Sequence, residues 1–239
     1  MEKHTMTGIL YGVGVGPGDP ELITCKAVRI MRQSDILLIP AKTEQACISY
    51  GIARAACPEL ARKEKLCLPF PMSKDAGVIA AAHDAVCEKV KGLLTEGKQA
   101  AFLTLGDPCI YATWHYLHRR IREAGGRAEV INGVPSFCAA AGVLGISLGE
   151  GGEQIHIIPA SYEIEDSLAL PGTKIYMKSG KKLEQLKEFL QKSGRKEKLE
   201  VYSVENCGMI GEKITRGIEG LSSASGYLTT VIVKEKGEA

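Results

Sequence analysis

The chain has 239 residues, a formal net charge of +2, 45% hydrophobic and 24% charged residues. That length allows one large globule or two modest ones, and so small a net charge argues against general nucleic-acid binding. No apolar run is long enough to cross a bilayer, the first residues lack a signal-peptide core, and eight scattered cysteines form no CxxC pair; together these predict a cytoplasmic protein with reduced thiols and no zinc site.

In chain order, residues 9–15 and 36–40 are short apolar runs of the kind that fill buried parallel strands. Between them Leu22, Ile23, Ala27, Ile30 and Met31 recur at helical spacing. A polar, alanine-rich stretch over 50–61 leads to a third strand in 65–71, halted by Pro69 and Pro71. Ile79, Ala82, Val86, Val90 and Leu93 mark one face of a long helix closed by Gly97. A fourth strand over 99–105, a helix over 112–124 and a fifth strand over 128–134 follow. This alternation predicts an α/β domain over 1–134 with a parallel five-stranded sheet and right-handed crossovers.

The pattern then changes. Residues 136–146 are small and apolar, as in a tightly packed helix, and a glycine-rich turn at 149–152 leads to 155–160. Strands are expected over 173–179, 199–207 and 227–235, with a helix carrying Leu183, Leu186, Phe189 and Leu190 between the first two. Residues 135–239 are therefore read as an α+β domain.

Two turns organise the first domain. Gly18-Asp19-Pro20 and Gly106-Asp107-Pro108 each follow an apolar strand and precede a helical pattern. The aspartate is expected to cap the following helix, with proline at its first position, and two such turns at strand carboxyl ends would frame a ligand crevice. Asp107 has a second reading, a carboxylate facing a ribose or a cation; Asp19 reads as a cap. The glycines at 12, 14, 16 and 18 do not make a dinucleotide fingerprint, because the third glycine falls on Pro17 or Asp19, and no GxxxxGK[ST] occurs. His115 and His118, with Cys109 nearby, are too few convergent ligands for a metal. The charge run 195–198 reads as a solvated loop.

GVGVGPGDPELITCKAVRIMRQSD, FLTLGDPCIYATWHYL, INGVPSFCAAAG and IYMKSG, in that order, resemble the S-adenosylmethionine-dependent tetrapyrrole methylases of corrin and sirohaem synthesis. Within that family LPFPMSKD at 68–75, TLGDPxxYxT and GEQIHIIPA look most like the precorrin-2 or cobalt-factor II C20-methyltransferase branch. Two departures stand out: Asn132 precedes Gly133 where the family usually has proline, and Ala112 stands where it usually has serine, leaving Thr113 to supply a hydroxyl. The resemblance implies two αβα-type domains, an N-terminal parallel sheet and a C-terminal mixed sheet, with S-adenosylmethionine in a cleft between them, a tetrapyrrole acceptor and a homodimer. Carried over by position, it implies donor contacts at Pro17, Leu105, Gly106, Asp107, Ile110, Ala112, Thr113, Pro135, Ser136, Met177, Asn206, Cys207, Leu228 and Thr229. It names no general base. The alternatives are a sibling methylase acting on uroporphyrinogen III or another corrin carbon, and a non-catalytic donor-binding module; an oxidoreductase is penalised by the broken fingerprint.

Overall fold

Five parallel strands form the first sheet: β1 (Ile9–Gly14), β2 (Ile36–Ile39), β3 (Glu64–Cys67), β4 (Ala100–Thr104) and β5 (Arg127–Ile131), in the order β3-β2-β4-β1-β5. The structure, a computed structural model, describes residues 5–71, 75–159, 164–178, 182–192, 196–222 and 226–236. Residues 72–74 of the LPFPMSKD segment, 160 of GEQIHIIPA, 179–180 of IYMKSG and 195 of the charge run lie outside the described residues. Two compact units divide at Pro135 and Ser136.

Every residue of β2 and β4 is buried, whereas the edge strands β3 and β5 carry exposed charged residues. Central strands bury both faces and so read as unbroken apolar runs. α3 (Ala76–Thr95) and α4 (Trp114–Glu123) cover one face, burying Val86, Val90, Leu94, Trp114, Leu117 and Ile121 against Leu10, Leu38 and Phe102. Trp114 lies so close to β1 that a Cβ at Gly12 would overlap its indole ring. α1 (Cys25–Gln33) buries Ala27, Ile30 and Met31. A right-handed crossover puts it on the opposite face.

The order of strands matters for function. β1 continues through α1 to β2 on one side of it, whereas β4 continues through α4 to β5 on the other. The carboxyl ends of the adjacent pair β1 and β4 are thus where the winding reverses, the position at which open α/β sheets receive ligands. α2 (Ile48–Ala56) falls in the alanine-rich stretch to which no element was assigned from sequence.

Neither Gly-Asp-Pro turn starts its long helix, which corrects the expectation. Asp19 caps a single 3-10 turn, Pro20–Leu22, by accepting from Glu21 N at 2.9 Å. α1 begins at Cys25 under its own cap, Thr24, whose hydroxyl oxygen accepts from Ala27 N. After Asp107 the chain turns, passes through Tyr111 at φ +47°, and only then enters α4. A left-handed residue breaks helical propagation, so the aspartate is released from capping α4.

The second unit carries α5 (Ser136–Leu144), β6 (Ile155–Pro159), α6 (Ile164–Leu168), β7 (Thr173–Met177), α7 (Leu183–Lys192), β8 (Leu199–Glu205), β9 (Lys213–Arg216) and β10 (Thr229–Glu235). Its sheet runs β6-β7-β10-β8-β9; β6 and β7 are parallel and the other pairs antiparallel. The mixed sheet is as expected. β9 and α6 were not anticipated, because four polar-flanked residues and a five-residue helix carry no readable period.

Tyr176 of β7 is 2% exposed, and its hydroxyl lies 2.8 Å from Ser167 Oγ. Ser167 donates its own proton to Ile164 O at 2.6 Å, so the phenol is the donor of that pair. Burial pushes the Tyr176 phenol up to about 12. A phenol that ionises near 10 in the unfolded chain and near 12 in the folded one contributes stability that is whole below pH 10. It is lost as pH rises from 10 to 12, by roughly 2–3 kcal/mol. Unfolding midpoints across pH 8–12 should show this loss, and Tyr176→Phe should flatten it; an unchanged slope in the variant would refute the assignment.

Candidate functional site

Beyond the ends of β1 and β4 the two glycine turns bond to each other. Val15 N donates to Thr104 O at 3.0 Å, Gly106 N donates to Gly16 O at 2.8 Å and Gly16 N returns a bond to Gly106 O at 3.3 Å. Gly16 and Gly106 sit at φ +77° and +71°, a region that glycine enters without the cost borne by other residues. The turns therefore form one backbone platform rather than two lips with a gap.

A third strand end joins them. A Cβ at Gly14 would stand 2.6 Å from Gly133 N and 2.7 Å from Gly106 O. A Cβ at Gly133 would overlap Gly106 O outright. Only residues without side chains allow β1, β4 and β5 to converge this closely.

Asp107 fastens the convergence. It is 6% exposed. Its Oδ1 accepts from Cys109 N at 2.7 Å, and its Oδ2 accepts from Gly133 N at 3.0 Å and from Asn132 Nδ2 at 3.1 Å. Asn132 O in turn accepts from the Thr24 hydroxyl at 3.3 Å. Three bonds from within the chain thus occupy the carboxylate, which ties the β4 turn to the end of β5. Burial, then the Asp107 charge, pushes the Cys109 thiol up, which disfavours the thiolate form that a nucleophile needs.

The positions expected in this unit differ in burial. Pro17, Gly106 and Asp107 are buried; Leu105, Ile110, Ala112, Thr113 and Pro135 are half-buried. Thr113 flanks the start of α4 without a side-chain cap bond. In the second unit, Met177 pairs with Thr230, and Thr229 pairs with Glu205, the residue before Asn206. Asn206 N donates to Leu228 O at 3.1 Å, and the Ser136 and Thr230 hydroxyls lie 3.4 Å apart. Ser136, Met177, Asn206, Cys207, Leu228 and Thr229 therefore lie near one end of the three inner strands of the second sheet, β7, β10 and β8. Asn206, at φ +51°, is an Asn in the left-handed region, which tolerates it better than most residues.

Sequence reasoning missed the parts played by Thr24 and Asn132. The one visible signal was Asn132-Gly133 at the end of β5. Among the described residues no group of three or more His, Cys, Asp or Glu side chains is placed to hold a metal ion. Among them no helix is long and apolar enough to cross a membrane.

A model of the family described as Tetrapyrrole (Corrin/Porphyrin) Methylases matches residues 9–220. The precorrin-2 C(20)-methyltransferase of Sinorhizobium sp is 32% identical over 239 residues, covering 95% of each chain. The probable cobalt-precorrin-2 C(20)-methyltransferase of Methanocaldococcus jannaschii is 34% identical over 171 residues, covering 71% of this chain and 72% of its own. Of solved structures, the uroporphyrin-III C-methyltransferase from Thermus thermophilus complexed with S-adenosylhomocysteine aligns with a TM-score of 0.70 at 19% identity, covering 95% of this chain and 98% of that one. A cobalt precorrin-4 methyltransferase aligns at 0.72 and 21% identity, covering 95% and 94%. At these identities the structures speak for the fold alone. The family's pattern, by contrast, runs from the first residue of β1 to the 3-10 turn Ile218–Gly220, and the chain belongs to the S-adenosylmethionine-dependent tetrapyrrole (corrin/porphyrin) methylases.

Proposed function

We propose that the chain transfers a methyl group from S-adenosylmethionine to C20 of precorrin-2 or of its cobalt-containing counterpart, in corrin synthesis. The observation that carries this reading is the fastened glycine platform at the winding reversal of the first sheet. It lies in a chain that matches a precorrin-2 C(20)-methyltransferase over 95% of both lengths. The donor is expected at the platform, against Pro17, Leu105, Gly106, Asp107, Ile110, Ala112, Thr113 and Pro135. Ser136, Met177, Asn206, Cys207, Leu228 and Thr229 are proposed as contacts from the second unit.

The residues present fit such a donor. Leu105, Ile110 and Ala112 offer half-buried apolar surface to a nucleoside, and the Thr113 hydroxyl is not engaged in capping. Asp107, held by three internal donors, keeps the turn in shape. In the reaction the nucleophilic meso carbon forms a bond to the methyl carbon as the sulfur–methyl bond breaks. The electron pair stays on sulfur, giving S-adenosylhomocysteine, and the meso proton leaves to solvent or a base. The leaving group needs no activation, so alignment and exclusion of water are what the protein must supply.

A homodimer and a cytoplasmic location go with this reading and are testable by light scattering and by fractionation. The decisive experiment incubates purified protein with methyl-labelled donor and either metal-free or cobalt-loaded acceptor, then locates the label by carbon NMR. Label at C20 is expected. Label on another carbon would instead favour a sibling methylase, and donor binding without turnover a binding module.

A further inference from the structure

We infer that Asn132 is a positioning residue for the methyl donor, acting through the Asp107 carboxylate; this rests on the donor lying at the β1–β4 platform. The side-chain amide of Asn132 donates to Asp107 Oδ2 at 3.1 Å. Its main-chain oxygen accepts from Thr24, the residue that caps α1. One residue thus joins three pieces that carry the platform: the segment after β1, the turn after β4 and the end of β5.

The chemistry favours this use of an amide. Gly133 N already donates to Asp107 Oδ2 at 3.0 Å, and that main-chain bond needs no particular residue at 132. The second donor comes from the side chain alone. A proline there would supply the bend but no proton for the carboxylate. Two donors on one oxygen and a third on the other fix both rotation of the carboxylate and the height of the turn. The turn needs fixing, because it enters at Gly106 with φ +71° and leaves through Tyr111 at +47°, two left-handed residues that give the backbone alternatives. Asn132 is itself exposed, so water competes for its amide and the effect is moderate. Loss of one such bond is expected to weaken the donor about 3- to 10-fold.

Two variants separate positioning from shape. Asn132→Ala removes the amide. Asn132→Asp keeps its size and places a second carboxylate against Asp107. If the bond positions the donor, donor affinity falls in the order wild type, Asn132→Ala, Asn132→Asp, and the last loses more than about 10-fold. Donor KM rises while tetrapyrrole KM holds. If residue 132 merely fills space, Asn132→Asp matches wild type and Asn132→Ala is the weaker of the two.

A readout that needs no donor keeps this test apart from that of the proposed function. Amide hydrogen exchange in the ligand-free protein should quicken over residues 106–111 in both variants. Donor affinity within twofold of wild type in Asn132→Ala, or unaltered exchange in that turn, would overturn the inference. Quickened exchange in a protein that binds no donor even as wild type would refute the functional reading instead.

Discussion

Replacing Asp107 with alanine is expected to weaken S-adenosylmethionine binding by about 10- to 100-fold and to cost roughly 2–4 kcal/mol of stability. The carboxylate is 6% exposed and receives Cys109 N, Gly133 N and Asn132 Nδ2. Alanine leaves two main-chain amides without an acceptor, and each such loss costs about 1–3 kcal/mol where water cannot replace it. Asn132, being exposed, recovers most of its loss from solvent. Asp107→Asn is the sharper comparison. Its amide nitrogen must face either the two donors on one side or Cys109 N on the other, so two donor–donor clashes arise in one flip and one in the other. It should therefore fall between alanine and wild type in stability, and close to alanine in donor affinity. Calorimetric titration and urea unfolding read the two effects separately. An alanine variant that keeps both wild-type stability and wild-type affinity would show that the carboxylate neither fastens the platform nor serves the donor.

Asp107 also shows how far the sequence alone could lead. The Gly-Asp-Pro spacing placed it at a strand end and offered helix capping or a ligand contact as its role. What it does is reach across to Gly133, 26 positions away. Local propensity describes the first few amides after a turn, and it holds no information on which other strand will arrive beside it. The all-buried strands β2 and β4 were legible because continuous apolar runs state their own environment. β9, Lys213–Arg216, was not, because an edge strand with exposed charges takes its conformation from pairing with β8. The glycines lie between these cases. Their pattern marked the site, but the reason each must be glycine is the approach of another backbone, which needs three strands in place. The family resemblance supplied the positions in the second unit; no periodicity would have singled out Met177 or Thr229.

Gly133→Ala is expected to remove donor binding at least 10-fold and to destabilise the protein by about 3 kcal/mol, at the upper range for forcing one extra carbon into a packed site. The added Cβ would overlap Gly106 O and stand 2.9 Å from Gly14 Cα. Both neighbours are main chain, so no rotamer change relieves the clash, and the β4 turn or the end of β1 must move. Either motion strains the bonds between Gly16 and Gly106 and those from Gly133 and Asn132 to Asp107. Gly14→Ala presses on the same junction from the other side, within 2.6 Å of Gly133 N, and should resemble it. Gly92→Ala is the counter-case. It lies within α3, and nothing stands within 4 Å of its added Cβ. There alanine should raise stability by about 0.5–1 kcal/mol, through helix propensity alone, and leave donor affinity as it was. Denaturant midpoints and donor titrations on the three variants test the pair of expectations together. If Gly133→Ala proves as stable and as tight-binding as wild type, then the three strand ends do not meet as closely as the platform requires.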